Sequence, residues 1–266
     1  MSDDARPDIY HDLHGRQLKA EELANRESAN CILGILSEYL QPASVLDVGC
    51  GLGTWLSVLQ QRGITDVRGV EGKWLKTADL VCDSKLVQLC DLEAGFDLER
   101  RFDLIVCLEV AEHLSPAAAG RFVESLVRHA PAVLFSAAIP FQGGSHHLNE
   151  QFLSYWESIF AKHSFKPVDV VRGRIWLNQR VLWWLRQNTV LFAHQTLIDT
   201  NDKLGDAVRD PVGPLSIVHP EIYWDRINML TAQVRQLKKL EALIGVTGIY
   251  RTERNAQGDL AVTRIG

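Results

Sequence analysis

The sequence predicts an α/β fold built around a largely parallel β-sheet. From Ser44 onward, short runs of β-branched and apolar residues alternate with longer segments of helical periodicity, a pattern typical of strand–helix–strand units. Hydrophobic residues make up 46% of the 266 positions, which is enough for a substantial buried core. The 23% of charged residues is ordinary for a globular chain and argues against disorder.

The predicted elements follow from these local patterns. A helix is expected over 116–129 because Ser115 is a good capping residue and Pro116 stands at the first helical position. Before the first strand, residues 17–40 read as one or two amphipathic helices. The predicted strands are 44–48, 67–71, 86–89, 102–107, 132–136, 168–176 and 190–193. The other predicted helices are 54–61, 149–163, 181–188 and 221–243.

Composition excludes several classes of protein. A net charge of −5 gives no overall field that attracts DNA, RNA or an anionic membrane surface. No apolar stretch approaches the ~20 residues of a membrane span, and the polar N-terminus does not resemble a signal peptide. Five cysteines without a Cys-x-x-Cys pair disfavour a disulfide scaffold and a zinc ribbon. We therefore expect a reduced, cytoplasmic protein of enzyme size.

The first predicted strand leads into a glycine-rich loop, Asp47-Val-Gly49-Cys-Gly51-Leu-Gly53. Glycines at alternate positions let the backbone turn sharply and approach a ligand closely. The spacing differs from the Gly-x-Gly-x-x-Gly of dinucleotide enzymes, and the Gly-Lys-Ser/Thr of a phosphate-binding loop is missing. A plain tight turn would also account for the loop by itself. The segment resembles the first motif of class I S-adenosylmethionine (SAM)-dependent methyltransferases.

Acidic residues also end the next two predicted strands, at Glu71 and Asp91. In the family that the loop resembles, the first position holds the ribose hydroxyls and the second contacts the adenine amine. Either acid by itself could be a solvated strand end, but both occur in order and at the family's spacing. The strand over 102–107, followed by Leu108 and Glu109, also matches the family's fourth strand.

The resemblance covers residues 44–135 and implies more than the residues alone do. It implies a Rossmann-like fold with a seven-stranded, mostly parallel sheet and helices on both faces. It also implies a SAM crevice at the carboxyl edge of the sheet, where such folds bind ligands. The crevice would be formed by Asp47, Gly49, Gly51, Gly53, Glu71 and Asp91, with Leu92 and Leu108 as apolar walls.

A cluster of carboxylates and imidazoles follows the fourth strand. Glu109, Glu112 and His113 share one face if a helical turn forms there. A later loop carries His146 and His147, and it leaves the same edge of the sheet. The set of Glu109, Glu112, His113 and His147 resembles the metal site of small-RNA 2′-O-methyltransferases, and its first part also resembles ubiquinone-biosynthesis O-methyltransferases.

Three interpretations of this cluster remain open. The four residues suit Mg²⁺, Mn²⁺, Fe²⁺ or Zn²⁺, and a bound cation would activate an alcohol for methyl transfer. In a metal-free site, His113, His146 or His147 would serve as the general base. The third interpretation is a purely structural role.

A segment rich in aromatic and amide side chains is a candidate acceptor site. Trp184, Arg186 and Asn188 lie in Trp-Trp-Leu-Arg-Gln-Asn, which resembles methyltransferases found among glycan and capsule biosynthesis genes. Aromatic faces with amide and guanidinium donors suit sugar or phosphate recognition. The alternative is core packing, because Trp183 and Trp184 are adjacent and cannot both face the same way on a helix.

We therefore expect a SAM-dependent O-methyltransferase, assisted by a divalent metal, that acts on a hydroxyl or other oxygen of a small polar acceptor, such as a sugar, a glycan or a phosphate-bearing metabolite. An RNA 2′-O-methyltransferase is disfavoured by the charge and the lack of a Lys/Arg-rich run. A catalytically silent SAM-binding subunit is disfavoured by the intact acid–histidine set. The expected organisation is a helical cap over 1–43, the SAM-binding core over 44–195, and a C-terminal loop, helix and polar tail over 196–266. The C-terminal helix makes a homodimer one expectation.

Overall fold

The computed structural model describes residues 22–209, 214–244, 250–254 and 260–264. The chain divides into two compact units, Met1–His219 and Pro220–Gly266. The first unit contains a seven-stranded sheet with the order β3-β2-β1-β4-β5-β7-β6. Its strands are β1 (Ser44–Val48), β2 (Asp66–Glu71), β3 (Val87–Leu89), β4 (Leu104–Leu108), β5 (Ala132–Ser136), β6 (Phe165–Val168) and β7 (Val190–His194). Only β7 runs antiparallel to its neighbours, so the expected mostly parallel sheet is confirmed.

Helices cover both faces of this sheet, which explains why the central strands are apolar on both sides. Alternate residues of β1 enter different cores: Leu46 joins the core under α3 and α4, and Val45 joins the core under α1 and α2. The helices of this unit are α1 (described over 22–36), α2 (Thr54–Gln61), α3 (Ala119–His129), α4 (Leu153–Phe160), α5 (Arg172–Ile175), α6 (Trp183–Asn188), α7 (Gln195–Thr200) and α8 (Asp202–Arg209).

The strand predicted over 168–176 is wrong. The strand in that region is β6, and the following segment turns into the short helix α5. The buried guanidinium of Arg172 explains the difference, because it pairs with Asp169 at 2.6 Å and donates to the carbonyl of Leu215 at 2.7 Å. These polar contacts require a turn directly after β6, and they override the strand preference of the valines around them.

The second unit consists of a long helix and a small hairpin. Helix α9 (Pro220–Ile244) agrees with the helix predicted over 221–243. After this helix, the sequence predicts only a polar tail. The structure instead has two strands, β8 (Tyr250–Arg254) and β9 (Leu260–Arg264), which pair antiparallel. Both strands were missed because their stability depends on pairing with each other rather than on a long apolar run. Among the described helices, none is both long and apolar enough to cross a bilayer.

Candidate active site

The glycine loop after β1 adopts a left-handed backbone that favours glycine. Gly49, Gly51 and Gly53 have φ angles of 71°, 54° and 80°, in the left-handed region. A Cβ atom on Gly49 would lie 2.3 Å from Cγ2 of Val110, and one on Gly53 would lie 2.4 Å from Sγ of Cys82. The loop is therefore fixed both by its conformation and by close packing.

Glu71 at the end of β2 holds this loop in place. Its carboxylate accepts hydrogen bonds from the backbone amides of Gly51, at 2.7 Å, and Gly72, at 2.6 Å. Burial raises the pKa of Glu71, and these hydrogen bonds partly oppose that effect. Burial, together with the charge of Glu71, also raises the pKa of Asp47 well above its ordinary value. Two buried carboxyl groups thus share the carboxyl edge of β1 and β2.

The other predicted cofactor residues lie at the ends of neighbouring strands. The amide of Cys90 donates to the carbonyl of Glu71 at 2.8 Å, which brings the end of β3 beside that of β2. Asp91 is exposed and caps a 3-10 turn. The first residue of that turn, Leu92, is buried. Leu108, at the end of β4, is half-buried. The sheet order therefore gathers the proposed cofactor residues along one continuous edge.

Glu109 follows β4 and is held by two amide side chains. Its backbone has a φ angle of 55°, and its amide donates to the carbonyl of Ser136 at 3.1 Å. Its carboxylate oxygens accept hydrogen bonds from Nε2 of Gln142 at 2.9 Å and Nδ2 of Asn188 at 3.1 Å. Asn188 also donates to Oε1 of Gln142 at 2.8 Å. Gln142 was missed at the sequence level, because an isolated amide after the fifth strand carries no motif.

Glu112 lies in a 3-10 turn directly after Glu109 and is completely buried. Neither of its carboxylate oxygens accepts a hydrogen bond of standard geometry from the described residues. Burial and, secondarily, the neighbouring Glu109 raise its pKa well above the ordinary value, and the backbone amides of Glu112 and Ala138 offset this only in part. A buried carboxylate with this little compensation is a candidate ligand for a cation.

The loop that carries His147 is tied to the Glu112 turn through the backbone. The amides of Leu148 and Asn149 both donate to the carbonyl of Glu112, at 2.7 and 3.0 Å. Nδ1 of His147 lies 2.9 Å from Oε1 of Glu150. This contact orients the ring and leaves Nε2 of His147 as its remaining nitrogen.

These contacts bring three residues into one group. Glu112, His113 and His147 each offer a ligand atom, and these atoms all lie within 4.8 Å of one another. The rings of His113 and His147 meet edge to face, with centroids 4.9 Å apart. One carboxylate and two imidazoles form a donor set that suits a divalent transition metal. We call Glu112, His113 and His147 the EHH cluster.

Two predicted members of the site lie outside the EHH cluster. Glu109 is adjacent to Glu112, but its carboxylate oxygens are occupied by the amides of Gln142 and Asn188. His146 is exposed and has a φ angle of 61°.

The predicted acceptor residues on α6 have different surroundings. Asn188 reaches Glu109, as described above. Arg186 is buried and donates to the carbonyl of Trp176 at 3.3 Å. Trp184 is half-buried against the core and meets Trp183 edge to face at 5.2 Å. The structure therefore brings one of the three residues into contact with the acidic site.

Comparisons with known proteins identify the family of this chain. A family described as "Methyltransferase domain" matches residues 16–165. The ubiquinone biosynthesis O-methyltransferase of Pseudomonas entomophila (strain L48) is 35% identical over 107 residues, which are 35% of this chain and 43% of that protein. The match thus spans less than half the length of this relative.

Solved structures are similar to this chain at low sequence identity. The sugar N-methyltransferase KedS8 from Streptoalloteichus sp. ATCC 53650 is 17% identical, with a TM-score of 0.50 over 69% of this chain and 92% of that one. Magnesium protoporphyrin IX methyltransferase from Synechocystis PCC 6803 is 13% identical, with a TM-score of 0.48 over 66% and 86% of the two chains. Since the family match covers more than half of the sequence, this chain belongs to the methyltransferase domain family, and it has a Rossmann-like fold.

Proposed function

We propose that this methyltransferase transfers the methyl group of SAM to an oxygen atom of a small polar acceptor, with the help of a divalent cation held by the EHH cluster. The acceptor class is a sugar, a glycan or a phosphate-bearing metabolite. The observation that carries the proposal is the convergence of Glu112, His113 and His147 within 4.8 Å, beside Glu109 at the ligand-binding edge of the sheet.

The chain's own residues account for cofactor binding and orientation. The Gly49–Gly53 backbone offers close approach to the amino-acid part of SAM, and Glu71 offers a carboxylate for the ribose hydroxyls. Asp91, exposed at the end of β3, is available for the adenine amine. With these roles, the sulfonium methyl group would lie near the end of β4, where Glu109 begins the acidic site.

Methyl transfer to an alcohol requires a stronger nucleophile than a neutral hydroxyl. When bound, a divalent cation lowers the pKa of a hydroxyl and fixes the position of its oxygen. Glu112 supplies negative charge for such a cation, and Glu150 keeps His147 oriented for binding. The amides on Glu109 hold its carboxylate at a fixed position beside the cluster, where it can accept a hydrogen bond or a proton from the acceptor.

The net charge of the chain supports a small acceptor, and the name of a curated relative supports an oxygen atom as the methyl acceptor. The chain carries −5 net charge, which opposes the phosphate neutralisation that RNA binding requires. The curated relative described above is named an O-methyltransferase, which supports an oxygen acceptor.

The test is a methyl-transfer assay on the full chain with radiolabelled SAM. The acceptor panel contains sugar nucleotides, sugar phosphates and short RNAs, and each assay is run before and after exhaustive EDTA treatment. We expect turnover on a sugar acceptor, its loss after chelation, and its return with Mg²⁺, Mn²⁺, Fe²⁺ or Zn²⁺. Glu112→Gln should have little turnover even when metal is added back, whereas the surface variant Glu124→Gln on α3 should behave like the native protein.

The outcomes separate the competing functions. Full turnover after chelation would exclude the metal and favour His113 or His147 as a general base. Methylation of RNA alone would replace the small acceptor with RNA. SAM binding without turnover on any acceptor would favour a catalytically silent subunit.

A further inference from the structure

Helix α9 displays an exposed apolar stripe along one side. Tyr223, Ile227, Leu230, Val234 and Leu237 are between 38% and 59% exposed, although residues of these types are normally buried. The stripe extends over 15 residues, from Tyr223 to Leu237, which is about 21 Å at 1.5 Å rise per residue. A continuous apolar surface of this kind on a described helix marks an interaction site.

The spacing of the residues in the stripe indicates that its partner is a second helix. Successive members are separated by 4, 3, 4 and 3 positions, which is the seven-residue repeat of a coiled coil. With Ile227 and Val234 at position a, Tyr223, Leu230 and Leu237 occupy position d. A repeat of 3.5 residues follows a left-handed path around the helix, and a second helix with the same repeat fits along this path.

The residue types at these positions favour a particular number of helices. In parallel coiled coils, β-branched residues at a, here Ile227 and Val234, together with leucine at d, favour two strands over three or four. We propose that α9 pairs with α9 of a second copy of this chain as a parallel two-stranded coiled coil, with the 223–237 stripe as its seam. The proposal does not depend on the acceptor or the metal.

The flanking positions are compatible with this pairing. In a parallel pair, position g of one helix lies opposite position e of the next repeat on its partner. Arg226 then faces Thr231, and Gln233 faces Lys238, in each copy. No like charges meet across the seam over this stretch, so electrostatic repulsion does not oppose self-association.

The test is sedimentation equilibrium on the full chain at micromolar concentration, combined with matched variants. Leu230→Glu and Val234→Glu place a carboxylate in the seam, and each should raise the dimer dissociation constant on the order of a hundredfold. Met229→Glu is the control, because Met229 is also exposed and apolar but lies at position c, outside the seam. Circular dichroism of each variant verifies that the fold is retained.

The direction of the helices is tested by oxidative cross-linking. All five native cysteines precede α9, so Leu237→Cys introduces a single thiol in the seam. In a parallel pair this thiol meets its equivalent and gives a covalent dimer, whereas Met229→Cys and the native chain do not. A monomer at all concentrations, or equal disruption by Met229→Glu, would overturn the proposal. A dimer that resists cross-linking at Leu237 would overturn the parallel arrangement.

Discussion

Nδ2 of Asn188 lies 3.1 Å from Oε1 of Glu109, although the two residues are 79 positions apart. Gln142 completes the arrangement, since it donates to the other carboxylate oxygen and accepts from Asn188. All three side chains belong to elements that leave the carboxyl edge of the sheet or pack beside it. Glu109 is thereby oriented by amides, while Glu112 is left without comparable hydrogen bonds.

Replacing Asn188 by leucine should impair catalysis without affecting SAM binding. Hydrogen bonds to a charged group contribute about 1.5–3 kcal/mol, so we expect kcat/KM to fall by roughly tenfold to a hundredfold. Steady-state kinetics measure kcat/KM, and calorimetric titration with S-adenosylhomocysteine measures the affinity for the cofactor product. Equal losses in both would show that Asn188 only supports the fold, contrary to this expectation.

Gly53→Ala should abolish cofactor binding, and Gly63→Ala should not. Both glycines have left-handed φ angles, 80° and 92°, so both substitutions carry the same kind of backbone cost, about 1 kcal/mol. A Cβ on Gly53 also collides with Sγ of Cys82, whereas a Cβ on Gly63 meets no atom within 4 Å. Calorimetric titration with SAM measures the cofactor affinity of the two variants.

The double variant Gly53→Ala/Cys82→Ala tests the steric part of this prediction. Removing the Cys82 sulfur should restore part of the SAM affinity lost in the single variant. If the double variant binds no better than Gly53→Ala, the collision with Cys82 is not the cause.

Gly144→Ala should weaken metal binding although every proposed ligand is retained. Gly144 has a φ angle of 138°, and a Cβ there would lie 2.4 Å from Nε2 of His147. The His147 ring must then move out of the EHH cluster, so we expect the metal dissociation constant to rise by about tenfold to a hundredfold. Gly120→Ala on α3 meets no atom within 4 Å and serves as the control. Unchanged Zn²⁺ or Mn²⁺ affinity in a calorimetric titration of Gly144→Ala would contradict the assignment of His147.

Asp47→Asn should stabilise the ligand-free protein at neutral pH. Burial and the charge of Glu71 raise the pKa of Asp47 well above 3.8, so the folded state retains a proton that the unfolded state has already lost. This stabilising contribution is complete below the unfolded pKa and is lost as the pH rises through the folded pKa. Each unit of difference corresponds to about 1.4 kcal/mol of unfolding free energy.

Urea unfolding between acidic and neutral pH measures this effect. The native chain should lose stability over that window more steeply than Asp47→Asn. Glu27→Gln, which replaces an exposed carboxylate on α1, should leave the pH dependence unchanged. Parallel stability curves for the native chain and Asp47→Asn would rule out Asp47 as the group responsible.

Local patterns in the sequence were sufficient to predict most of the sheet. The runs that became β1, β4 and β5 are mostly apolar, with consecutive buried residues, because both faces of the sheet are covered, and such runs are visible without tertiary information. The glycine loop is equally visible, because only glycine tolerates the left-handed backbone and the close packing found there. Glu71 and Asp91 could be assigned to one edge because parallel strands end together.

Only the tertiary structure decided which side chains in the site contact one another. The sequence pattern does not distinguish the roles of Glu109 and Glu112. In the structure, amide side chains from distant elements donate to Glu109, whereas two histidines lie close to Glu112. The same holds for α5, where the ion pair of Arg172 with Asp169 replaced a predicted strand by a turn. Sequence periodicity reports which face of an element is buried, whereas long-range hydrogen bonds depend on how the elements pack, and no local pattern encodes that packing.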